Sequence, residues 1–344
     1  MAERFGIGIV GAGMAAKPHA LAFEALRDIV EVRGVYRRDA EKRRVFAADY
    51  GFPQAESLEA LLADPKLDGL LILTPPNARE EIVVAAARAG KHILMEKPVE
   101  RTTLVAERIV NFCEESGVKL GIVFQHRFRE GSLALKRLLA DNALGQIAAV
   151  QLVVPWWRPQ EGYYDQPGRG TLARDGGGVL LSQAIHSLDL MLSLAGPVQQ
   201  VQSIAGTTAL HQMETEDFVA AGMRFANGAI GGLIATTAHF PGDPEYLVLD
   251  CEHGSARLSG SELVVRWRNG TTDNFGAETA TGGGADPMDF PFRWHQAVIA
   301  DFVDAVRNNR DPISNGQTAL EVHRLIDALL TSSASGKAIS VEHA

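Results

Sequence analysis

Lys97 stands where a charged side chain can meet a ligand. It follows the apolar run 93–95 and precedes Pro98, which predicts that it lies at the end of a buried parallel strand. In open α/β sheets, ligands bind outside the carboxyl ends of the strands. Lys97 is therefore a candidate catalytic residue, and an ordinary solvated lysine in a loop is the alternative interpretation.

A second candidate, His186, lies in the segment 176–192. This segment is apolar nearly all round and is followed by a Gly-Pro pair, which predicts a buried helix. Ser182, His186 and Asp189 fall at i, i+4 and i+7 and so share one face of that helix. Because histidine exchanges protons readily near neutral pH, His186 is a candidate acid/base. A core histidine satisfied by Asp189 is the alternative.

A dinucleotide fingerprint, Gly11-x-Gly13-x-x-Ala16, follows the first predicted strand. The glycines permit a tight turn and a close approach of the backbone to a pyrophosphate, while the next helix offers its N-terminal amides. A glycine turn without a ligand is the alternative. Pro18 indicates that the helix begins later than the glycines suggest. The cofactor contacts expected here are Gly11, Gly13, Met14 and Ala15.

The end of the second predicted strand indicates which dinucleotide is bound. Proteins that bind NAD carry an acidic residue there, which accepts hydrogen bonds from the ribose, whereas this chain has Arg37 and Arg38. Two guanidinium groups suit a ribose phosphate, which they can bind bidentately. The sequence therefore predicts NADP as the preferred cofactor, with NAD as a possible one.

The elements that must position these residues alternate between strand and helix in the first part of the chain. The clearest helix is predicted over 78–89, where an apolar face ends at a glycine. Alternation at this spacing predicts a parallel sheet with helices on both faces. The predicted strands are 5–10, 30–36, 69–73, 91–95 and 118–124.

The second part of the chain has a different pattern. Turn dipeptides such as Asn227-Gly228 and Asn269-Gly270 separate short segments rich in Val, Ile and Thr, which predicts hairpins. The Gly- and Pro-rich stretch 276–291 predicts an irregular loop near the ligand, and two closing helices are predicted over 295–307 and 318–332. The expected fold class is an α/β Rossmann domain followed by an α+β domain with an open, mainly antiparallel sheet. The expected domain ranges are 1–125 and 126–344, with the option that the closing helices pack back on the first domain.

Composition excludes several classes of protein. With 344 residues, 46% hydrophobic and 22% charged, the chain has the make-up of a soluble globular protein. A net charge of −9 argues against a nucleic-acid-binding surface, and no apolar run reaches membrane-spanning length. The N-terminus lacks the pattern of a secretory leader, so a cytoplasmic protein is expected. Cys113 and Cys251 show no metal-ligand spacing, and neither a metal site nor a disulfide is predicted.

Taken together, these motifs resemble the glucose-fructose oxidoreductase and inositol dehydrogenase family over nearly the whole chain. The segments that carry the resemblance are Gly11-Ala12-Gly13, Thr74-Pro75-Pro76-Asn77, Glu96-Lys97-Pro98, Arg127-Phe128, and Gly176-Gly177-Gly178 through His186 to Asp189. The family consists of nicotinamide-dependent enzymes acting on sugars, cyclitols and related polyhydroxy compounds. Its second domain often mediates dimers or tetramers, so a homodimer or homotetramer is expected.

The resemblance implies roles for individual residues. The family's catalytic lysine and histidine correspond to Lys97 and His186, and the peptide before Pro98 is expected to be cis. Further cofactor contacts are implied for Thr74, Pro75, Pro76, Asn77, Glu96 and Lys97. The chain departs from the family at Ser182, where many members carry Asp, and at Arg79, where His is usual. The first departure removes a carboxylate, and Ser182 is expected to act by hydrogen bonding.

Most of the candidate substrate contacts lie before the glycines 176–178, and Gln183 and Asp189 lie after them. Aromatic faces beside an arginine can stack on a sugar ring and bind its hydroxyl groups, although they can equally cover the sheet. The candidates are Trp156, Trp157, Arg158, Tyr163, Tyr164, Arg169, Gln183 and Asp189. Two other functions stay open: a catalytically silent NADP-binding regulator, and reduction of a non-sugar carbonyl or imine.

Overall fold

The computed structural model describes residues 3–343, which form two compact units. The first unit runs from the start of the described chain to Val123 and also contains Phe292–Ala319. The second comprises Phe124–Pro291 together with Leu320 to the end of the described chain. In the described part of the chain, no helix is both long and apolar enough to cross a membrane.

The first unit is built on a parallel sheet with the strand order β2-β1-β3-β4-β5. Every residue of β1, β3 and β5 is buried, as expected for a sheet covered on both faces. The strands are β1 (Phe5–Val10), β2 (Val30–Tyr36), β3 (Gly69–Ile72), β4 (His92–Met95) and β5 (Leu120–Ile122). This arrangement confirms the predicted Rossmann architecture.

Capping residues mark the ends of some of the helices between these strands. The Asp39 side chain accepts a hydrogen bond from Lys42 N at the start of the second helix, which ends at Gly51 with φ +65°. The predicted helix over 78–89 is shorter by a few residues and buries Val83, Ala86 and Ala87. The helices are α1 (Ala16–Ala25), α2 (Ala40–Tyr50), α3 (Leu58–Leu62), α4 (Glu80–Arg88) and α5 (Thr103–Glu115).

The second unit contains a nine-stranded sheet in which only the β6–β9 pair is parallel, among the described residues. Asn227-Gly228 forms one of the predicted hairpins, with Gly228 at φ +89°. The elements in chain order are α6 (Glu130–Ala140), β6 (Ile147–Pro155), α7 (Ile185–Ala195), β7 (Val198–Gly206), β8 (Phe218–Phe225), β9 (Ile230–Thr236), β10 (Tyr246–Cys251), β11 (Gly254–Ser259), β12 (Glu262–Trp267) and β13 (Thr272–Phe275). A mainly antiparallel second sheet is thus confirmed.

The predicted helix over 176–192 is wrong at its start. Residues 180–184 form a wide π-helical turn, and only then does α7 begin. The cause is Glu216, whose carboxylate accepts hydrogen bonds from Gly178 N and Leu180 N. A Cβ at Gly178 would lie 1.9 Å from the Glu216 carbonyl oxygen, so this glycine is required for the close approach.

The chain closes with α8 (Arg293–Arg307), α9 (Gly316–Ser335) and β14 (Ile339–Ser340). Helix α8 packs in the first unit, where Phe302 meets Phe5 edge-on with 6.1 Å between ring centroids. The stretch 276–291 contains no helix or strand.

Candidate functional site

The glycine turn after β1 has the geometry that a bound dinucleotide requires. Gly11 adopts φ +96°, and a Cβ there would lie 3.0 Å from Thr74 N, so the turn packs against the segment after β3. A Cβ at Gly13 would meet nothing within 4 Å, which leaves open space for a pyrophosphate. No side chain caps the start of α1, and its first turn carries no acidic residue. These features fit a dinucleotide phosphate at the N-terminus of α1.

The other residues of the fingerprint lie at the start of α1. Ala15 is the N-cap of α1, and the Met14 side chain is exposed at the same turn. Pro18 is the third residue of the helix, so it lies in the first turn, where its missing N–H costs nothing.

Arg37 and Arg38 follow β2 directly. The Arg37 guanidinium donates to the carbonyl of Ala12 in the glycine turn, while Arg38 is exposed. Arg43, on α2, donates to the carbonyl of Arg37 over 3.3 Å. Two arginines therefore follow β2 and a third contacts the backbone there, at the strand end where the ribose of a dinucleotide is held in this fold.

Arg79 lies beneath the turn that carries Lys97. It is buried, and its guanidinium donates to the carbonyls of Thr74, Glu96 and Pro98. Burial lowers the pKa of Arg79 to about 10, so the group remains charged at neutral pH. The Thr74 segment and the Lys97 turn are thereby joined through one side chain. The rest of this segment, Pro75, Pro76 and Asn77, is half-buried or exposed around a short 3-10 turn.

Lys97 itself is half-buried, and the Lys97–Pro98 peptide is cis. The preceding residue, Glu96, is buried and hydrogen-bonded to His19 Nε2 over 2.8 Å. Burial alone would raise the pKa of Glu96, but the hydrogen bond and the neighbouring charges lower it to about 2. The turn therefore presents an ionised carboxylate at residue 96.

Among residues 3–343, one group of histidine and acidic side chains brings its ligand atoms within 4.8 Å of one another: His19, Glu96 and His295. Burial lowers the pKa of His295 to about 3, so its ring is neutral. Imidazoles that bind metals usually donate their other N–H to an acceptor, and His19 Nδ1 has no hydrogen-bond partner in the described residues. We interpret the group as a hydrogen-bonded cluster behind Lys97.

His186 is the second residue of α7 and is buried. Its ring stacks on that of His126, with 4.9 Å between centroids and 26° between planes. Phe124 meets His186 edge-on at 6.0 Å. The predicted acid/base thus stands in an aromatic setting.

The other two members of the predicted polar stripe have different partners. Ser182 lies in the π-helical turn, where its hydroxyl donates to the Gly178 carbonyl over 2.6 Å. Asp189 is fully buried, and its two carboxylate oxygens accept hydrogen bonds of 2.6 and 2.7 Å from Arg127. Burial raises the pKa of Asp189, and Arg127 opposes that shift. Asp189 forms an ion pair with Arg127, which does not favour the alternative interpretation of His186 as a core histidine satisfied by Asp189.

The tryptophan and arginine candidates after β6 are mostly engaged with protein groups. Trp156 is buried and donates from Nε1 to Glu245 over 3.0 Å. Arg158 is also buried, and it donates to the carbonyls of Gly282 and Gly284 over 2.7 and 2.6 Å. Arg158 therefore holds the irregular stretch in place. Trp157 is half-buried.

A second group of candidates gathers around Tyr163. Its hydroxyl accepts a 2.6 Å hydrogen bond from Gln183 Nε2, and the Arg169 guanidinium lies 5.0 Å from its ring centroid. Tyr164 packs edge-on against Tyr163 and shares a 2.7 Å hydrogen bond with Thr237. Burial raises the pKa of Tyr164, which keeps its hydroxyl neutral. Aromatic, amide and guanidinium groups are thus combined in one place.

Sequence reasoning missed His126 and Glu245 as parts of this arrangement. Glu245 accepts hydrogen bonds from Arg129 and Trp156, and its Oε1 lies 3.9 Å from His126 Nδ1. One signal was available: the polar run 125–127 directly follows the apolar run 120–124. Nothing local indicates Glu245, because its partners are distant in sequence.

Comparisons with known proteins identify the family of both matched domains. Residues 5–124 match the family model described as "Oxidoreductase family, NAD-binding Rossmann fold", and residues 132–257 match the "GFO/IDH/MocA C-terminal domain". The chain is 27% identical over 340 residues to a 1,5-anhydro-D-fructose reductase of Ensifer adhaerens, covering 97% of this chain and 98% of the relative. It is 24% identical over 364 residues to scyllo-inositol 2-dehydrogenase (NADP(+)) IolW of Bacillus subtilis, covering 98% of this chain and 96% of the relative.

A solved structure is similar along the whole chain. The WlbA dehydrogenase of Bordetella pertussis, in complex with NADH and UDP-GlcNAcA, has a TM-score of 0.83 and 26% identity and covers 99% of this chain and 100% of its own. The fold, the glycine turn and both matched domains lead to one conclusion. The chain belongs to the GFO/IDH/MocA family and is a nicotinamide-dependent oxidoreductase.

Proposed function

We propose that this enzyme transfers hydride between NADP(H) and a secondary alcohol or carbonyl of a sugar, cyclitol or related polyhydroxy compound. The observation that carries the proposal is the setting of Lys97. The residue lies two positions after the last residue of β4, and Arg79 binds the carbonyls on both sides of it. Such rigid support suits a group that must meet a reacting atom in one orientation.

In this proposal, Lys97 and His186 have different tasks in the reaction. A bound nicotinamide accepts the hydride on oxidation and supplies it on reduction. Lys97 orients the substrate hydroxyl and stabilises the negative charge that develops on its oxygen. His186 removes the hydroxyl proton and returns it in the reverse direction. Ser182 acts by holding the turn before α7, through its hydrogen bond to Gly178.

The preference for NADP is supported by the cluster of guanidinium groups at the end of β2. Arg38 is exposed there, while Arg37 and Arg43 are tied to the adjacent backbone. A ribose phosphate carries the opposite charge and matches the planar fork of arginine. One relative is named for NADP(+), and the WlbA structure contains NADH, so the cofactor varies among relatives.

A polyhydroxy substrate is supported by the group around Tyr163. A phenol ring offers a face for a sugar ring, and Gln183 and Arg169 bring hydrogen-bond donors beside it. The names of the relatives include an anhydro-sugar reductase and an inositol dehydrogenase. We assign Trp156, Arg158 and Asp189 supporting roles behind this surface, because their polar groups already bind protein atoms.

Self-association through the nine-stranded sheet is also proposed. Ile204 on β7, Ala220 on β8 and Ile234 on β9 form one cross-strand row. Ile204 is 75% exposed and Ile234 is 44% exposed. Exposed isoleucines on β7 and β9, in one row across three strands, favour a second copy of the same sheet as their partner.

To test the proposal, the enzyme is incubated with NADP or NAD and a panel of aldoses, cyclitols and sugar acids, and the absorbance of the reduced nicotinamide is measured. The reverse reaction is measured with the reduced cofactors and a panel that also contains ketones and imines. Lys97→Ala should lower kcat at least about 100-fold and leave NADP binding within about twofold. Lys66→Ala, which removes an exposed lysine, is the control. A protein that binds NADP but turns over no compound in either direction is a regulator, and the proposal fails. A fully active Lys97→Ala variant removes the assigned role of Lys97.

A further inference from the structure

We propose that His126 is a positioning residue that holds the imidazole of His186 in the orientation needed for proton transfer. The inference rests on the proposed acid/base role of His186. No sequence motif assigns His126 this positioning role. The role follows from the contacts of His126 in the second unit.

The contact between the two rings is close and nearly parallel. Their centroids are 4.9 Å apart and their planes differ by 26°, and both residues are buried. Phe124 meets His186 edge-on at 90°, so the ring is bounded by one face and one edge. Rotation of the His186 ring about its Cβ–Cγ bond would break the parallel contact with His126. The stack therefore restricts the ring plane.

The turn that carries His126 is anchored on both sides. Arg127 binds both carboxylate oxygens of Asp189, which is on α7 three residues after His186. Arg129 binds the Glu245 carboxylate and donates to the Gly260 carbonyl over 3.2 Å. His126 is thus fixed relative to α7 by one ion pair and to the neighbouring sheet by another.

An acidic side chain, Glu245, lies near the His126 ring. Glu245 Oε1 lies 3.9 Å from His126 Nδ1, which is beyond hydrogen-bond distance, and this oxygen already accepts from Arg129. The other Glu245 oxygen accepts from Trp156. Asp189 and Arg127 form the remaining charged pair. Both carboxylates have guanidinium partners, and the feature of His126 on which the inference rests is its flat ring, which stacks on His186.

This role bears on the absent carboxylate at position 182. Ser182 bonds to the backbone of its own turn, and Asp189 is taken by Arg127. Stacking on His126 gives the ring an orienting contact that requires no carboxylate from either residue.

The experiment compares His126→Phe with His126→Leu in the full-length enzyme, using the substrate and cofactor that give turnover with the wild type. Phe keeps a flat ring without a titratable group, whereas Leu fills part of the volume without one. His126→Leu should lower kcat about 10- to 100-fold with the KM for cofactor unchanged within about twofold. His126→Phe should recover most of that loss. His323→Leu removes another buried histidine of the same unit and should leave kcat unchanged.

Three results would overturn the inference. One is wild-type kcat in His126→Leu. Another is a loss in His126→Phe as large as that in His126→Leu, which would indicate a proton-carrying or charged role for His126. The third is an equal rise in cofactor KM, which would indicate general disruption. If His126→Leu does not fold, the kcat of His126→Phe alone tests the inference: a value near that of the wild type supports it, and a large loss contradicts it. His186→Ala is measured in parallel: full activity there contradicts the proposed function itself, whereas its inactivity beside an active His126→Leu contradicts only the role of His126.

Discussion

Arg79 lies against the main chain on both sides of Lys97. Its guanidinium donates to the carbonyls of Glu96 and Pro98, and a third bond of 2.9 Å reaches the Thr74 carbonyl. A buried side chain that is 3% exposed therefore fixes the backbone of the proposed catalytic lysine. The family's usual histidine at this position is replaced here by a longer side chain with more donors.

Replacing Arg79 by Met should weaken both the fold and the reaction. Met keeps an apolar stem but leaves three buried carbonyls without their donor, which should lower the free energy of unfolding by about 2–4 kcal/mol. We also expect kcat to fall at least about 10-fold, because Lys97 loses its support. Urea unfolding and initial rates measure the two effects. Arg88→Met on the exposed side of α4 is the control and should change stability by less than about 0.5 kcal/mol. Unaltered stability in Arg79→Met would show that these bonds contribute nothing.

Cofactor preference should depend on Arg38. Removing its guanidinium by Arg38→Ala should lower kcat/KM for NADP about 10-fold or more, because a charge-assisted bond to the ribose phosphate is lost. The value for NAD should stay within about twofold, since NAD lacks that phosphate. Arg44→Ala is the matched control, because Arg44 is exposed and paired with Glu41. Equal efficiency of the wild type with both cofactors would contradict the preference for NADP.

Stability should fall in mild acid because of His323. Burial lowers the pKa of His323 from 6.5 to about 4, so the unfolded chain binds a proton there that the folded chain does not. The free energy of unfolding should therefore decrease as the pH falls from about 6.5 to about 4, by roughly 3 kcal/mol from this group. His323→Leu should reduce that pH dependence in urea titrations. His239→Leu changes an exposed histidine and should leave the dependence intact. An identical slope in His323→Leu and the wild type would rule out His323 as a source.

Association through the nine-stranded sheet should be sensitive to charge on the exposed face of β7, the strand next to one edge of the sheet. Ile204→Asp places a carboxylate on the 75% exposed site, where burial against a second copy would cost several kcal/mol. We expect the wild type to sediment as a dimer or tetramer and Ile204→Asp as a smaller species. Leu210→Asp, at a 58% exposed site outside the strands, is the control. A monomeric wild type at micromolar concentration would contradict the proposed association.

Much of the fold follows from local patterns. Strands β1 and β2 have the predicted bounds. Strand β1 is an apolar run that ends at a glycine turn, while β2 is rich in Val although it contains Glu31 and Arg33. The start of α7 could not be predicted. It is displaced by Glu216, which is 38 residues away from Gly178 in sequence. Local propensity contains no information about such a partner.

The candidate site divides in the same way. The residue types and their spacing in the sequence indicated the glycine turn, Lys97 and His186. A phosphate-binding turn and the end of a strand are each defined by residues that are neighbours in the sequence. Tertiary packing determined which side chains bind other protein groups: Arg158 donates hydrogen bonds to the carbonyls of Gly282 and Gly284, and Asp189 forms an ion pair with Arg127. The physical reason is that a buried donor or acceptor must find a partner wherever the fold supplies one. Sequence spacing places a polar group on a face, but only the folded chain determines what that face meets.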